Sequence, residues 1–237
     1  MKIIFFTDVH GNQYAFDSFL TSISNLKYDY VVFGGDIFGY YYGQNRIINT
    51  LRRKRFVCLL GNHDQMFLEL LEGKMELEYL IEKYGNSYLK VKESISKQNV
   101  IFIKKLKPSF TLEIDKLKIC FVHGSLDDPL NGRIYPDTDI KDLTPYSEYD
   151  YVFFGHTHHE MIRKINNCII ANPGSLGQQR DGKGCKYLIF DTKQKSIEIK
   201  TIEYDVQPLI REIQKKDSGN MKERLIEVLL RKIWMNI

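Results

Sequence analysis

The stretch IIFFTDVHGN at residues 3–12 joins four apolar residues directly to a polar cluster that holds Asp8, His10 and Asn12. The apolar run does not alternate with polar residues, which is typical of a strand buried on both faces of a sheet. Four later runs end in similar polar clusters that contain glycine: YVVF at 30–33, FVCLL at 56–60, ICFV at 119–122 and YVFF at 151–154. Ligands of open α/β sheets bind beyond the carboxyl ends of strands, so these five strand ends predict one shared site.

Helical and strand patterns alternate along the chain, which predicts an α/β fold. Helical patterns at 13–26 and 66–84 follow the first and third clusters. The second half is predicted to contain strands at 109–114, 118–122, 161–165, 168–171, 187–191 and 196–204, and then helices at 208–216 and 221–234. No stretch has the composition of a linker. We therefore expect one domain over residues 1–237, with a C-terminal helical extension at about 206–237.

The composition is that of an ordinary globular protein. Apolar residues make up 43% and charged residues 27% of the 237 residues, both near the usual fractions. The 34 Lys and Arg against 30 Asp and Glu leave a net charge of +4, too small an excess to require nucleic acid or an anionic membrane as a partner. No stretch approaches the ~20 apolar residues of a transmembrane helix. We therefore expect neither a nucleic-acid partner nor a membrane.

The four cysteines indicate a reducing compartment. None forms a Cys-x-x-Cys pair and three lie within apolar runs, so buried reduced thiols are expected. The N-terminal run of four apolar residues is too short for a signal peptide. These two observations predict a cytoplasmic protein.

The strand-end clusters contain residue types that bind transition metals. Asp8 and His10 are two residues apart, as are His156 and His158, and this spacing would place both side chains of a pair on one side of an extended strand. A single Asp or His at a strand end is usually a turn or cap residue, but five of the six histidines lie in these clusters. The candidate ligands are two carboxylates, four imidazoles and one amide oxygen, from Asp8, His10, Asp36, Asn62, His123, His156 and His158.

This ligand set favours two metal ions. Carboxylate and imidazole ligands together suit Mn, Fe, Ni or Zn, and seven ligands with one shared carboxylate fit two divalent ions better than one. Close pairs of such ions promote in-line displacement at phosphorus. The sequence therefore predicts a two-metal site, and displacement at phosphorus is one reaction that such sites promote.

The clusters taken together resemble a known family. They occur along the chain in the order Asp8-x-His10, Gly35-Asp36, Gly61-Asn62-His63-Asp64, His123-Gly124 and Gly155-His156-x-His158. In that order they resemble the calcineurin-like metallophosphoesterases, over roughly residues 1–205. Segments 35–40 and 172–182 are similar to a small bacterial and archaeal branch that includes phosphodiesterases and diadenosine tetraphosphate hydrolases.

The resemblance implies a fold and an assignment of the ligands. The fold would be a four-layer αββα sandwich, in which two mixed β-sheets are flanked by helices. One ion would be held by Asp8, His10, Asp36 and His158, and the other by Asp36, Asn62, His123 and His156. Asp36 would bridge the ions, a hydroxide between them would be the nucleophile, and His63 would be the general acid for the leaving oxygen.

Three further residues are candidates for the site. Asp64 could orient His63, support the ligands from behind, or be the N-cap of a helix that starts just after it. Arg180 lies near the end of a glycine-rich segment and is a candidate clamp on phosphate oxygens, with a solvated loop arginine as the alternative. Asn12, in the first cluster, is a second candidate for binding substrate.

The predicted activity is hydrolysis of a small phosphodiester or nucleotide, with diadenosine tetraphosphate as one candidate substrate. Three tyrosines after Gly39 could stack on its base or pack against protein. A serine/threonine protein phosphatase is the alternative activity, but that branch has an Asp-Arg-Gly after the bridging carboxylate, which this chain lacks. A non-catalytic scaffold of this fold would be expected to lack a ligand or His63, and this chain retains them all.

The last helical pattern carries a broad apolar stripe. Its members are Met221, Leu225, Leu229 and Ile233 at intervals of four, widened by Ile226, Leu230 and Trp234. A face of this width should be covered by other apolar groups. Packing on the sandwich and a homodimer interface are the two alternatives.

Overall fold

The structure is a computed structural model that describes residues 1–182 and 184–234, with residues 231–234 described by their backbone. Its strands are β1 (Lys2–Phe6), β2 (Tyr30–Phe33), β3 (Val57–Cys58), β4 (Ser109–Ile114), β5 (Leu117–Val122), β6 (Tyr151–Phe153), β7 (Glu160–Ile165), β8 (Cys168–Pro173), β9 (Cys185–Asp191) and β10 (Ser196–Ile202). Its helices are α1 (Gln13–Ile23), α2 (Gln44–Lys54), α3 (Asn62–Leu71), α4 (Leu77–Tyr84), α5 (Ser87–Ser94), α6 (Lys97–Ile103), α7 (Gln207–Lys216) and α8 (Gly219–Trp234).

The strands form two five-stranded mixed sheets. The first sheet has the order β10-β9-β1-β2-β3, in which β1, β2 and β3 are parallel and β9 is antiparallel to both of its neighbours. The second has the order β4-β5-β6-β8-β7, with β5, β6 and β8 parallel and antiparallel strands at both edges. Each sheet thus has adjacent parallel strands whose carboxyl ends lead into the polar clusters.

Strand β1 is buried on both faces, as its uninterrupted apolar run predicts. Ile3 and Phe5 lie in the apolar cluster between the two sheets, where the ring centroids of Phe5 and Phe121 are 5.7 Å apart. Ile4 and Phe6 belong to a second cluster, which also contains apolar side chains from helices α1 to α6. These helices therefore cover the outer face of the first sheet.

The outer face of the second sheet is covered by the segment 124–149. Ile134 and Tyr146 pack there against Val122 and Val152, and the segment contains the 3₁₀ turn Pro145–Glu148. The predicted sandwich of two mixed sheets flanked by helices is confirmed, with the α-helices on the first sheet and this 3₁₀ turn as the helical part of the layer on the second.

The structure differs from the predicted helix at 66–84. Helix α3 already begins at Asn62 and ends at Leu71, and α4 begins only at Leu77. Between them Gly73 has a φ of +71°, a left-handed conformation that ends helices and that glycine adopts without steric cost. Helices α2, α5 and α6 have no counterpart among the predicted elements.

Helices α7 and α8 pack on the body of the protein through the predicted apolar stripe. Leu225 and Leu229 are buried in one cluster with Tyr41, Leu209 and Ile213. Packing within the chain thus covers the described part of the stripe, and the homodimer stays a prediction. The side chains of Ile233 and Trp234, and residues 235–237, lie outside the described residues.

Two expectations from composition can be compared with this structure. Cys120, Cys168 and Cys185 are buried as predicted, whereas Cys58 is partly buried. None of the helices in the described ranges combines the length and the apolar content that crossing a bilayer requires.

Candidate metal centre

The structure brings the seven predicted ligands together at one edge of the sandwich. They come directly after strands β1, β2, β5 and β6 and from the first turn of α3. Two groups have ligand atoms that lie within 4.8 Å of one another: Asp8, His10, Asp36 and His158, and Asp36, His123 and His156. Asn62 joins the second group, since its Oδ1 is 3.0 Å from Nε2 of His123. All seven side chains are buried.

In the first group two imidazole nitrogens face each other as acceptors. Nδ1 of His10 donates to the carbonyl oxygen of Phe38 at 2.7 Å, and Nδ1 of His158 donates to that of Gln178 at 2.5 Å. Burial lowers the pKa of both histidines below the usual value, so each neutral ring has its proton on Nδ1 and a lone pair on Nε2. The two Nε2 atoms are 3.0 Å apart. Two lone pairs at this distance fit a shared cation.

The carboxylate of Asp8 supplies a third donor to the same group. Its Oδ2 accepts hydrogen bonds from the Thr7 hydroxyl and the His156 N–H. Its Oδ1 is buried without a hydrogen-bond partner and lies 3.3 Å from Nε2 of His158. An unpaired buried carboxylate oxygen is costly, and a metal ion at this point would remove that cost.

Asp36 lies between the two groups. Its Oδ2 is 3.7 Å from Nε2 of His10, and its Oδ1 is 3.5 Å from Nε2 of His123. Burial raises the pKa of Asp36 well above its usual value, and the carboxylates of Asp8 and Asp64 raise it further. A cation beside Asp36 would favour the ionised form of this carboxyl, and its position between His10 and His123 suits a ligand shared by both groups.

The second group repeats the acceptor arrangement of the first. Nδ1 of His123 donates to the carbonyl oxygen of Gly34 at 2.8 Å, so the neutral ring form would have its lone pair on Nε2, which lies 3.0 Å from Oδ1 of Asn62. Nε2 of His156 accepts from Nε of Arg133 at 3.1 Å, so Nδ1 is the atom through which His156 would bind an ion. Burial, and then the neighbouring His123, lower the pKa of His156 to about 3. The donor atoms of both groups therefore fit divalent cations.

The backbone of the ligand loops corrects one step of the sequence reasoning. The two-residue spacing was predicted to place both side chains of a pair on one side of an extended strand. The backbone is not extended there, because φ is positive, between 48° and 66°, at Asp8, His10, Asp36, His156 and His158. Hydrogen bonds between loops hold this conformation: the N–H groups of Asp8 and His10 donate to the carbonyls of Gly35 and Asp36. Non-glycine residues with positive φ are uncommon and cluster at functional sites.

Asp64 holds the loop that carries Asp36. Its two oxygens accept from the backbone N–H groups of Asp36, Ile37, Phe38 and Gly61 at 2.7–3.2 Å. The predicted N-cap position is corrected, because α3 begins at Asn62 and Asp64 is its third residue; from there its carboxylate caps the N–H of Gly61. All four N–H partners of the Asp64 carboxylate are backbone groups of other residues than His63, so these contacts fit support of the ligand loop and not orientation of the His63 ring.

His63 lies beside the first group and is oriented by a tyrosine that was not predicted. The hydroxyl of Tyr88 donates to the carbonyl of His63 at 3.3 Å, and its oxygen lies 2.8 Å from Nδ1 of His63. The His63 ring centroid is 4.9 Å from that of His10. A side chain at Gly39 would approach Nδ1 of His63 to 2.6 Å, so glycine is required there for the ring to fit.

We expect Tyr88→Phe to lower kcat about tenfold while leaving the metal content unchanged, since the hydroxyl orients His63 and contacts no candidate ligand. The phenyl ring would keep its packing near His63. Steady-state kinetics and elemental analysis check this result. Tyr84→Phe is the matched control, because the ring of Tyr84 also packs on His63 but its hydroxyl is not the partner of Nδ1. Equal losses in both variants would contradict an orienting role for Tyr88.

Two arginines lie near the centre, one beside each donor group. Arg180 donates from Nη2 to the hydroxyl of Tyr40 at 3.0 Å, and the Tyr40 ring centroid is 4.8 Å from that of His10. Arg133 contacts His156 of the second group. Arg180 was predicted from its glycine-rich loop, whereas nothing in the sequence around Arg133 marks it.

The other predicted substrate contacts are revised by the structure. Asn12 caps α1 through Oδ1, and its Nδ2 donates to the carbonyl of Gly177 and the hydroxyl of Tyr204. Its amide is therefore occupied inside the protein, which corrects its assignment to the substrate. Tyr41 is buried under α7 and α8, and the Tyr42 hydroxyl bonds to Asp217. Of the three consecutive tyrosines, Tyr40 is the one whose ring packs against a candidate ligand, His10.

Comparisons with known proteins agree with this site. A family model described as the calcineurin-like phosphoesterase superfamily domain matches residues 1–195. An uncharacterized protein of Methanocaldococcus jannaschii is 30% identical over 227 residues, which are 88% of this chain and 90% of that protein. A Buchnera aphidicola protein named symmetrical bis(5'-nucleosyl)-tetraphosphatase is 27% identical over 172 residues, which are 70% of this chain and 58% of that protein.

A solved structure is similar over nearly the whole fold. The crystal structure of a hypothetical protein from Pyrococcus horikoshii OT3 superposes with a TM-score of 0.80 at 17% identity, covering 94% of this chain and 97% of that chain. This likeness supports the fold. Together with the family match and the buried donor groups, it leads to one conclusion: the chain belongs to the calcineurin-like phosphoesterase superfamily and is a phosphate ester hydrolase.

Proposed function

We propose that this protein hydrolyses a small phosphodiester or nucleotide with two divalent metal ions. The observation that carries the proposal is the pair of buried donor groups that share Asp36. Asp8, His10, Asp36 and His158 would hold one ion, and Asp36, Asn62, His123 and His156 the other. Mn, Fe, Ni and Zn suit these donors, and two such ions would neutralise phosphate charge and lower the pKa of a water held between them.

His63 is the proposed general acid for the leaving oxygen. Burial, and then the neighbouring His158 and Arg180, lower the pKa of His63 well below its usual value. An anionic phosphate beside the ring would raise that pKa, so the proton would be held most strongly when substrate is bound. The Tyr88 hydroxyl can accept from Nδ1–H, which leaves Nε2–H as the donor to the leaving group.

Diadenosine tetraphosphate is a candidate substrate. The Buchnera aphidicola relative has a name that refers to bis(5'-nucleosyl) tetraphosphates, and the metal-binding edge of this chain carries Arg133 and Arg180, which can grip phosphate oxygens. These features favour a small polyanion over the surface of a phosphoprotein.

The cytoplasmic location and the homodimer remain predictions, and light scattering of the purified chain would test the homodimer.

An activity panel after metal removal and reconstitution tests the proposed function. It would compare a bis-aryl phosphate, an aryl monoester, a cyclic nucleotide, diadenosine tetraphosphate and a phosphoprotein, each with Mn, Fe, Ni or Zn. We expect activity to depend on added metal and to be highest for a diester or nucleotide. Equal kcat/KM for the phosphoprotein and every small ester would contradict the proposed substrate class.

Arg180→Ala is expected to raise KM more than it lowers kcat, because a clamp on an oxygen that is not transferred binds substrate and transition state alike. Steady-state kinetics on a diester and a nucleotide measure both constants. Arg163→Ala is a control arginine whose guanidinium bonds to backbone carbonyls at residues 136 and 138, away from the ligands. An unchanged KM in Arg180→Ala would exclude the clamp and leave the metal chemistry unaffected.

A further inference from the structure

Helix α8 forms one wall of a cavity next to the candidate metal centre. The cavity has a volume of about 260 Å³, and Tyr40, Arg180 and Lys83 lie in its lining together with Arg224 and Glu227 of α8. Tyr40 connects it to the metal centre, because its ring adjoins His10 and its hydroxyl accepts from Arg180. We call this space the α8 cavity.

The charged residues of the α8 cavity are mostly cationic. Arg180, Lys83 and Arg224 supply three positive charges against the single carboxylate of Glu227. Arg180 is partly engaged by Tyr40, and Lys83 donates to the hydroxyl of Tyr79 at 2.7 Å. Arg224 is exposed and has no hydrogen-bond or ion-pair partner among the residues that the structure describes. The lining therefore offers at least one uncommitted guanidinium to an anion.

Arg224 is held in the cavity lining by the packing of the buried residues next to it on α8. The next residue, Leu225, is buried, as is Leu229 one turn later, and both pack against α7 and Tyr41. A buried face fixes the rotation of a helix about its axis. The family model ends at residue 195, so α8 adds Arg224 and Glu227 to the cavity from outside the matched region.

We propose that the α8 cavity binds a second anionic group of the substrate, a phosphate separated from the one that is hydrolysed. The proposal rests on the proposed function and narrows it to nucleotides with several phosphates. A guanidinium forms paired hydrogen bonds to phosphate oxygens, and a phosphate group is small enough for this volume. A simple diester has one phosphate and would leave the cavity without an anion.

The test compares Arg224→Gln with the wild-type protein on two substrates. Diadenosine tetraphosphate carries further phosphates, whereas bis(p-nitrophenyl) phosphate carries one. We expect Arg224→Gln to raise KM for the tetraphosphate about tenfold and to change kcat/KM for the diester less than about twofold. Arg211→Gln, an exposed arginine of α7 outside the cavity lining, should change neither. Equal effects of Arg224→Gln on both substrates, or no effect on either, would overturn the proposal.

A binding measurement separates this proposal from the proposed function. If the wild-type protein hydrolyses neither substrate, the proposed function fails, and titration of the full-length metal-free protein with inorganic tripolyphosphate still tests the cavity. Binding that Arg224→Gln weakens about tenfold would support the cavity, and binding that Arg224→Gln leaves unchanged, or no binding, would overturn it. A third outcome is that orthophosphate inhibits the wild type but not Arg224→Gln, while both proteins have the same KM for diadenosine tetraphosphate. The cavity would then bind free phosphate and not substrate, which would overturn the proposal.

Discussion

Asp36→Asn is expected to lower the affinity for metal at both donor groups and to reduce kcat/KM by more than about 100-fold. Changes to residues that merely support metal ligands cost about 10–100-fold in metal affinity or activity. Asp36 faces His10 with one oxygen and His123 with the other. Removing its charge should therefore reduce metal affinity and activity by more than this 10–100-fold range. Elemental analysis and activity as a function of Mn concentration measure the two effects.

Asparagine is the appropriate replacement for structural reasons. Asp36 has a φ of 66°, and asparagine is among the residues that adopt this conformation most readily. An amide oxygen can also still accept the hydrogen bond from the His63 N–H. Asp17→Asn, at a partly exposed aspartate that pairs with Arg46, is a control for loss of one negative charge. Two ions retained at wild-type affinity in Asp36→Asn would contradict the shared-ligand role.

The thermal stability of metal-free Asp36→Asn provides a second test. Folding raises the pKa of Asp36, through burial and then the carboxylates of Asp8 and Asp64. A carboxyl whose pKa is raised on folding lowers stability once the pH exceeds its unfolded value of about 3.9. Asp36→Asn should therefore have a Tm at pH 7 no lower than that of the metal-free wild type. A large loss of Tm would show that the carboxylate is needed for folding itself.

The strand ends could be predicted from sequence because burial leaves a local pattern. β1 carries apolar side chains toward both faces, so residues 3–6 contain no polar position. The break between α3 and α4 was missed because the apolar spacing continues across Gly73, whose left-handed backbone ends the helix. Apolar periodicity reports which face of a segment is covered, but it does not report where the backbone turns.

The candidate ligands could be predicted by type and order, whereas the residues that support them could not. Tyr88 reaches His63 from α5, and Arg133 reaches His156 from the segment after β5. Neither lies in a motif, because each is brought to the site by packing between distant parts of the chain. Asn12 lies in the first cluster, yet its amide caps α1. Sequence proximity to a ligand therefore does not separate groups that contact substrate from groups that hold loops.

His63→Ala is expected to keep the metal ions and to lower kcat by ~10²–10⁴, the usual contribution of a general acid. The His63 ring bonds to Tyr88 through Nδ1, and only its backbone N–H contacts the shared ligand Asp36. Alanine keeps that N–H, so elemental analysis should give the wild-type metal content. His159→Ala is the matched control, because His159 follows the ligand His158 directly and its Nδ1 donates to a backbone carbonyl.

The leaving group distinguishes an acid from a residue that only fills space beside His10. A good leaving group, such as a nitrophenolate, departs without a proton, whereas an alkoxide leaving group requires one. The loss of kcat in His63→Ala should therefore be large for diesters with poor leaving groups and small for nitrophenyl esters, and free imidazole should restore part of the first. A loss of the same size across the leaving-group series would exclude proton donation and assign His63 to charge stabilisation or to packing against Tyr40 and Tyr84.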